Sequence, residues 1–331
     1  MSTYLQDLQI GLHDLFARHE KAILLGEDVL DPYGGAFKVS AGLSTAFPGR
    51  VLTTPISEAA ITGVASGLAL RGFLPIAEIM FGDFLTLCAD QLVNHAAKFP
   101  NMYKGVRCPV ILRTPMGGGR GYGPTHSQSI EKMFFGIPGL KVVAPSHFHR
   151  PGVTLRHVAE HEAGPVLFIE HKLLYPEVLL SGSHALEVAG DGYCTAVVRN
   201  YLSGEADICL IAYGGASRLM PALLRRLAEE EIRIILLVPE CIDPPPLDLL
   251  GRFAGEARRI MVIEEGHEGF GWGAQIAQAL TARLWGKLDC PIQTLASDRV
   301  IIPTSFDQEA DMLLSAKRIE AGILEVLSWA A

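Results

Sequence analysis

Three arrays in this 331-residue chain set acids, histidines or glycines at spacings that chemistry uses. In His157-Val158-Ala159-Glu160-His161 two histidines stand four residues apart. On a helix they share a face and could hold a zinc ion beside Glu160. No third ligand is specified, and the plainer reading is a solvated helix face before Gly164-Pro165. Gly269-Phe270-Gly271-Trp272-Gly273-Ala274 fits G-x-G-x-x-A between a strand and a helix, with Asp289 loosely at the distance of a ribose partner. Trp272 is bulky for a phosphate turn, and Glu264, Glu265 and Glu268 before it would repel a diphosphate, so a tight strand-to-helix turn is expected. The third array is Thr54-Pro55-Ile56-Ser57-Glu58-Ala59-Ala60-Ile61, followed by Gly63. It puts a carboxylate where extended chain meets a helix of small residues. Alone, Glu58 would read as a first-turn acid that suits the helix dipole.

Alternating strands and helices must position these groups. Leu5, Leu8, Leu12, Leu15 and Phe16 recur at helical spacing over 4–19. Strands are expected at Ala22–Gly26, 51–54, 74–80, Pro109–Arg113, Leu140–Ala144 and Val166–Glu170, with helices over 57–70, 83–98 and 151–161. Glycines then punctuate a stretch without periodicity, read as a linker over 181–205. Beyond it come strands at Asp207–Tyr213, Arg233–Val238 and Arg259–Ile263, and helices over 217–230, 272–285 and 308–328. The alternation predicts an α/β fold of two mostly parallel sheets with right-handed crossovers.

The chain is 49% hydrophobic and 19% charged, with a net charge of −8. Its length predicts two domains, and its apolar content rules out wholesale disorder. The acidic balance argues against nucleic acid as a partner and against a basic membrane-surface anchor. No uncharged run reaches the ~18–20 residues of a membrane span, and the start has no signal-peptide pattern. Six cysteines without a C-x-x-C pair read as reduced, buried thiols, which predicts a cytoplasmic protein.

Glu58 does not stand alone. Gly26-Glu27-Asp28-Val29 and Tyr33-Gly34-Gly35-Ala36-Phe37-Lys38-Val39 precede it. Glu78-Ile79-Met80-Phe81-Gly82-Asp83-Phe84, Arg113-Thr114-Pro115-Met116-Gly117-Gly118-Gly119, His126-Ser127-Gln128-Ser129, Pro138-Gly139-Leu140-Lys141-Val142-Val143 and Glu170-His171-Lys172-Leu173-Leu174-Tyr175 follow. In that order and spacing the segments resemble the β subunit of thiamine-diphosphate-dependent 2-oxo acid dehydrogenases. Those are the first components of the pyruvate, branched-chain and acetoin dehydrogenase complexes. The match is strong over about 22–176 and weaker beyond.

The resemblance implies a pyrimidine-binding transketolase-like domain over 1–180 and a transketolase C-terminal-like domain over 206–331. It implies a β subunit that activates thiamine diphosphate for decarboxylation of a 2-oxo acid and transfer of the acyl group to lipoate. Glu58 would lie against N1′ of the aminopyrimidine, favouring the imino tautomer whose nitrogen removes the thiazolium C2 proton. A carboxyl buried beside an apolar ring would have a raised pKa. Ile56 and Phe84 would contact the cofactor. His126, behind the glycine-rich run 117–123, would face the active-site channel and serve proton or acyl transfer. Gly190-Asp191-Gly192 starts like the family's Mg²⁺–diphosphate motif, but no paired asparagines follow, so it reads as a turn. The Mg²⁺ ligands are therefore expected on an α-type partner in an α2β2 assembly, with a lipoyl acyltransferase as a further partner.

The chain departs from the family at several points. Glu162-Ala163-Gly164-Pro165 replaces the potassium-loop pattern Asp-x-Asn-Pro, which argues against a potassium site. Pro239–Pro246 and Ser297–Pro303 replace typical turns of the C-terminal domain, which weakens the inference of acyltransferase docking. Two other readings accordingly stand beside the first. One is the β-like half of a split carbon–carbon ligase or transketolase. The other is a non-catalytic structural paralogue, against which the retention of both Glu58 and His126 argues.

Overall fold

The computed structural model describes residues 2–180 and 184–329. It divides into two compact units. One runs to Met116 and resumes over Met133–Leu179; the other takes Gly117–Lys132 and the chain from Leu180 on.

The first unit contains β1 (Ala22–Gly26), β2 (Val51–Thr53), β3 (Leu74–Glu78), β4 (Ile111–Met116), β5 (Lys141–Val143) and β6 (Val166–His171). They lie in the order β5-β6-β4-β3-β1-β2, and each neighbouring pair is parallel. Every residue of β3, β4 and β6 is buried, as strands covered on both faces must be. The helices are α1 (Tyr4–Arg18), α2 (Leu43–Ala46), α3 (Glu58–Leu70), α4 (Leu85–Ala89), α5 (Phe99–Met102) and α6 (Pro151–His161). A capping box between Thr3 and Gln6 starts α1. α1 crosses α6 at Gly11 and Gly152, where a Cβ on Gly11 would stand 2.3 Å from the Gly152 Cα. Asp7 fixes that crossing by accepting from the Gly152 N–H at 2.8 Å and from Arg150 at 2.9 Å. The expected helix over 83–98 is broken up: a 3₁₀ turn at Gly82–Phe84 leads into α4, and Asp90–Ala96 is wound as a π-helix.

The second unit contains β7 (Ala185–Val188), β8 (Cys194–Arg199), β9 (Ile208–Ala212), β10 (Ile234–Pro239), β11 (Cys241–Asp243), β12 (Ile260–His267) and β13 (Gln293–Ser297). Its sheet runs β13-β12-β9-β10-β8-β7. The β13-β12-β9-β10 part is parallel, whereas β8 and β7 join antiparallel. The helices are α7 (Met220–Glu229), α8 (Leu247–Ala254), α9 (Trp272–Leu284), α10 (Phe306–Met312) and α11 (Ala316–Ser328).

The structure differs from the sequence expectation at several places here: β11 and β13 are not expected from the sequence, the helix expected over 217–230 begins as a 3₁₀ turn over Gly214–Leu219, and three further differences have a visible cause. Of the stretch read as a linker, 181–183 lie outside the described residues and β7 and β8 form a hairpin. Gly190-Asp191-Gly192 is its turn: Gly192 adopts φ +88°, its N–H bonds the Ala189 carbonyl at 2.9 Å, and Asp191 accepts from the Tyr193 N–H at 3.3 Å. The sequence carries little sign of this hairpin because β7 sits at the sheet edge, mostly exposed, with no apolar run. The single helix expected over 308–328 is two, because Leu313 is extended and Ser315 caps α11 by accepting from the Arg318 N–H at 3.2 Å. Finally, α8 follows directly on Pro244-Pro245-Pro246, which masked its amphipathic start.

Candidate active site at the carboxyl edge of the first sheet

Parallel strands all point their carboxyl ends the same way, and ligands of such sheets bind along that edge. β1 ends there at Gly26, followed by Glu27, and β2 at Thr53, followed by Thr54, from which the chain turns through Ile56 and Ser57 into α3. Glu58 is the first residue of α3 and is only 6% exposed. Ser57 gives the helix no side-chain cap, so the acid itself carries the charge that suits this helix start. The Thr62 hydroxyl donates to the Glu58 carbonyl at 2.8 Å and tightens the first turn.

Two of the residues picked out from sequence come together here. The Cys88 thiol on α4 lies 3.7 Å from the Glu58 carbonyl and 3.7 Å from the Phe84 carbonyl. Burial pushes this thiol up to about 12, and the charges of Glu58 and Glu27 push the same way. Phe84 ends the 3₁₀ turn, half-buried, with its ring edge-on to Phe81 at 6.1 Å. Ile56 is 84% exposed on the connecting segment, an apolar side chain with no cover from this unit.

Sequence reasoning assigned no role to Glu27. Its side chain is buried, and one carboxyl oxygen has no hydrogen-bond partner. Burial raises its pKa, and the charges of Glu58 and Asp28 raise it further. The Thr54 hydroxyl, at the end of the neighbouring strand, is likewise buried without a partner. The signal was present in the sequence, an acid directly after an apolar strand, but an acid there is as often a turn residue. Buried oxygens without partners are costly, at about 1–3 kcal/mol each, and mark a place where a donor is missing.

Behind this edge lies a buried ionic network. Arg113 on β4 is 1% exposed and donates to Glu170 on β6 at 2.7 and 2.9 Å and to Glu78 on β3 at 2.9 Å. The Tyr175 hydroxyl completes Glu170 at 2.8 Å. Burial raises the Glu78 pKa against the pull of Arg113. The bidentate fork fixes three adjacent strand ends relative to each other. Phe37 stacks on Tyr175 at 5.3 Å and meets Phe81 edge-on at 5.7 Å, which continues the packing toward Phe84.

His126 belongs to the other unit, in the glycine-rich segment Gly117–Lys132. It is half-buried, its Nδ1 is 3.0 Å from the Thr125 hydroxyl, and its N–H bonds the Gly123 carbonyl at 3.3 Å.

The other arrays resolve plainly. The Glu264 carboxylate accepts from the N–H groups of Trp272 and Gly273 at 2.9 and 3.2 Å, so this acid occupies the place of a phosphate at the start of α9. His157 and His161 stack on each other at 4.4 Å, and among the described residues no group of three or more His, Cys, Asp and Glu is placed to hold a metal ion. Glu162 is paired with Lys141 at 2.7 Å. No helix among the described residues is long and apolar enough to cross a membrane.

Comparison with known proteins decides the family. Residues 3–178 match the transketolase pyrimidine-binding domain, and residues 199–319 match the transketolase C-terminal domain. The chain is 30% identical to the 2-oxoisovalerate dehydrogenase subunit beta of Bacillus subtilis (strain 168), over 98% of both chains. The chain belongs to the β-subunit family of the 2-oxo acid dehydrogenases. It is also 31% identical to the acetoin:2,6-dichlorophenolindophenol oxidoreductase subunit beta of the same organism, over 94% of this chain and 92% of that one. These two relatives carry different substrates in their names at nearly equal identity, so overall similarity does not select a substrate. A solved split-gene transketolase, described as an inactive β4 tetramer, covers 100% of both chains with a TM-score of 0.75 at 18% identity, which shows the shared fold.

Proposed function

We propose that this chain is the β subunit of a thiamine-diphosphate-dependent 2-oxo acid dehydrogenase and supplies the aminopyrimidine side of its active site. One observation carries this reading: the buried Glu58 carboxyl stands at a sheet edge where Glu27 and Thr54 also present buried oxygens without partners. An aminopyrimidine offers N–H donors to such oxygens, so the donor set fits the group. Bound thiamine diphosphate supplies a carbon nucleophile and an electron sink for decarboxylation. Glu58 holds the proton shared with the ring nitrogen N1′. Glu27 lies close by, its pKa raised by burial and by the charges of Glu58 and Asp28, so its anionic form is disfavoured there. Phe84 and Ile56 offer apolar surface for the ring. His126 serves proton or acyl transfer.

The Mg²⁺ ligands are assigned to an α-type partner, in an α2β2 assembly. Asp191, the residue that starts most like such a motif here, is spent in a hairpin turn. The charge of Glu162 is balanced by Lys141, so we assign no potassium ion to this loop. Identities of 30% and 31% with dehydrogenase-type β subunits over more than nine-tenths of the chain favour this reading over a split transketolase, to which the likeness is one of fold. Titration calorimetry with thiamine diphosphate and Mg²⁺ tests the split site. Tight binding is expected only when the α-type partner is present. Tight binding by this chain alone would overturn it.

A further inference from the structure

The segment Gly117–Lys132 is held by carboxylates far away in sequence. Gly117, Gly119, Gly121 and Gly123 all have positive φ, from +68° to +94°. Such alternation turns successive backbone N–H groups inward, a concavity that takes an anion. Here the anion is a side chain. Glu309 on α10 is fully buried and accepts from the Gly119 N–H at 3.0 Å with one oxygen and from the Gly121 N–H at 2.6 Å with the other. Glu265 on β12 accepts from the Gly118 N–H at 2.9 Å and from the Ser129 hydroxyl at 3.2 Å. A Cβ on Gly118 would stand 2.7 Å from the Leu313 side chain, so the approach is as close as glycine allows. At the far end the Tyr213 hydroxyl donates to the buried Glu131 at 2.5 Å, and the Lys132 ammonium bonds the carbonyls of His267 and Gly269 at 2.9 Å each. His126 lies between the two anchored ends.

We infer that Glu309 is a positioning residue for His126: its carboxylate fills the glycine nest and fixes the loop that presents the histidine, with Glu265 as the second anchor. The inference rests on the proposed role of His126 in the dehydrogenase reaction. It goes further by assigning a job to an acid of the C-terminal unit, 183 residues away in sequence from His126. The cost of leaving two glycine N–H groups without their charged acceptor is what couples α10 to the loop.

The test is Glu309→Ala beside the isosteric Glu309→Gln, which keeps one acceptor oxygen. Amide hydrogen exchange is read on the full chain. Glu309→Ala is expected to speed exchange across 118–128 by at least about tenfold, with Glu309→Gln between it and the wild type, while β9 and β10 stay protected. In the complex with the α-type partner, kcat is expected to fall at least about tenfold in Glu309→Ala with KM for the 2-oxo acid within about twofold, because orientation rather than binding is lost. Partial recovery in Glu309→Gln supports the assignment. Unchanged loop exchange in both variants overturns it, as does wild-type kcat with a loosened loop. His126→Ala is run in parallel: full activity there would sink the role given to His126, while the exchange data would still report on the nest.

Discussion

Both units bring a glutamate to the place where a parallel strand hands over to a helix, and they treat it in opposite ways. In the C-terminal unit Glu264, within β12, is satisfied by the N–H groups of Trp272 and Gly273 at the start of α9. In the N-terminal unit Glu58 heads α3 beside Glu27 and Thr54, whose buried oxygens lack partners. The same motif of strand, acid and helix is thus a finished cap in one unit, and in the other it lies among buried oxygens of Glu27 and Thr54 that lack partners, the place proposed above for the cofactor. The difference teaches that acidity at such an edge is not the signal of a site. The signal is acidity without a partner.

The largest expected effect separates the two acids. Glu58→Gln in the assembled enzyme is expected to lower kcat by about 10²–10⁴, the range for a lost proton-transfer group. Its circular dichroism should stay that of the wild type. Glu264→Gln should leave kcat within about threefold, because its acid caps a helix instead of meeting a ligand. If the two variants lost activity equally, the contrast between receptor and cap would collapse.

Next comes pH. Burial pushes Glu131 up to about 7 from an ordinary carboxylate value of 4.5, with the charges of Glu265 and Glu264 adding to it and the Tyr213 hydrogen bond opposing it. The folded chain therefore keeps this proton over a range where the unfolded chain has lost it. The stability it contributes is full below about pH 4.5 and is lost as pH rises through about 7. Over that window the difference is on the order of 3 kcal/mol. Glu131→Gln should flatten it, so the variant gains melting temperature relative to the wild type as pH goes from 5 to 8. A constant offset across that range would contradict the buried, protonated carboxyl.

Smaller effects follow. Glu264→Ala should cost about 1–2 kcal/mol of stability through the lost cap, read as a lower urea midpoint. Glu27→Gln should shift the pH dependence of stability in the same sense as Glu131→Gln, since its pKa is also raised, and should do so less in the cofactor-loaded complex than in the free chain. An equal shift in both forms would mean that the Glu27 oxygen meets no ligand.

Much of this molecule was legible in its sequence. The strands Ala22–Gly26, Leu74–Glu78 and Val166–His171 announce themselves as short apolar runs, and each ends at a residue that matters. Glu58 and Phe84 stand out in the sequence because each sits at a change of local pattern, Glu58 where extended chain enters α3 and Phe84 in the 3₁₀ turn after β3. What escaped is non-local or marginal. The β7–β8 hairpin has an exposed edge strand and no periodic core face. The partnerless oxygen of Glu27 is a property of its folded surroundings and leaves no mark in the local sequence pattern. The clasp of Glu309 on Gly119 and Gly121 joins two segments that share no local pattern. The same holds for Glu264: its acidity is visible in the sequence, but the two N–H groups that it satisfies appear only once β12 and α9 are folded.

The central claim is that Glu58 activates the cofactor from this chain. It is tested most directly by following hydrogen–deuterium exchange at C2 of thiamine diphosphate bound to the complex of this chain with its α-type partner. With wild-type chain the exchange should be fast. With Glu58→Gln it should fall by at least about 10² while cofactor binding persists. Exchange near the wild-type rate in that variant would contradict the account.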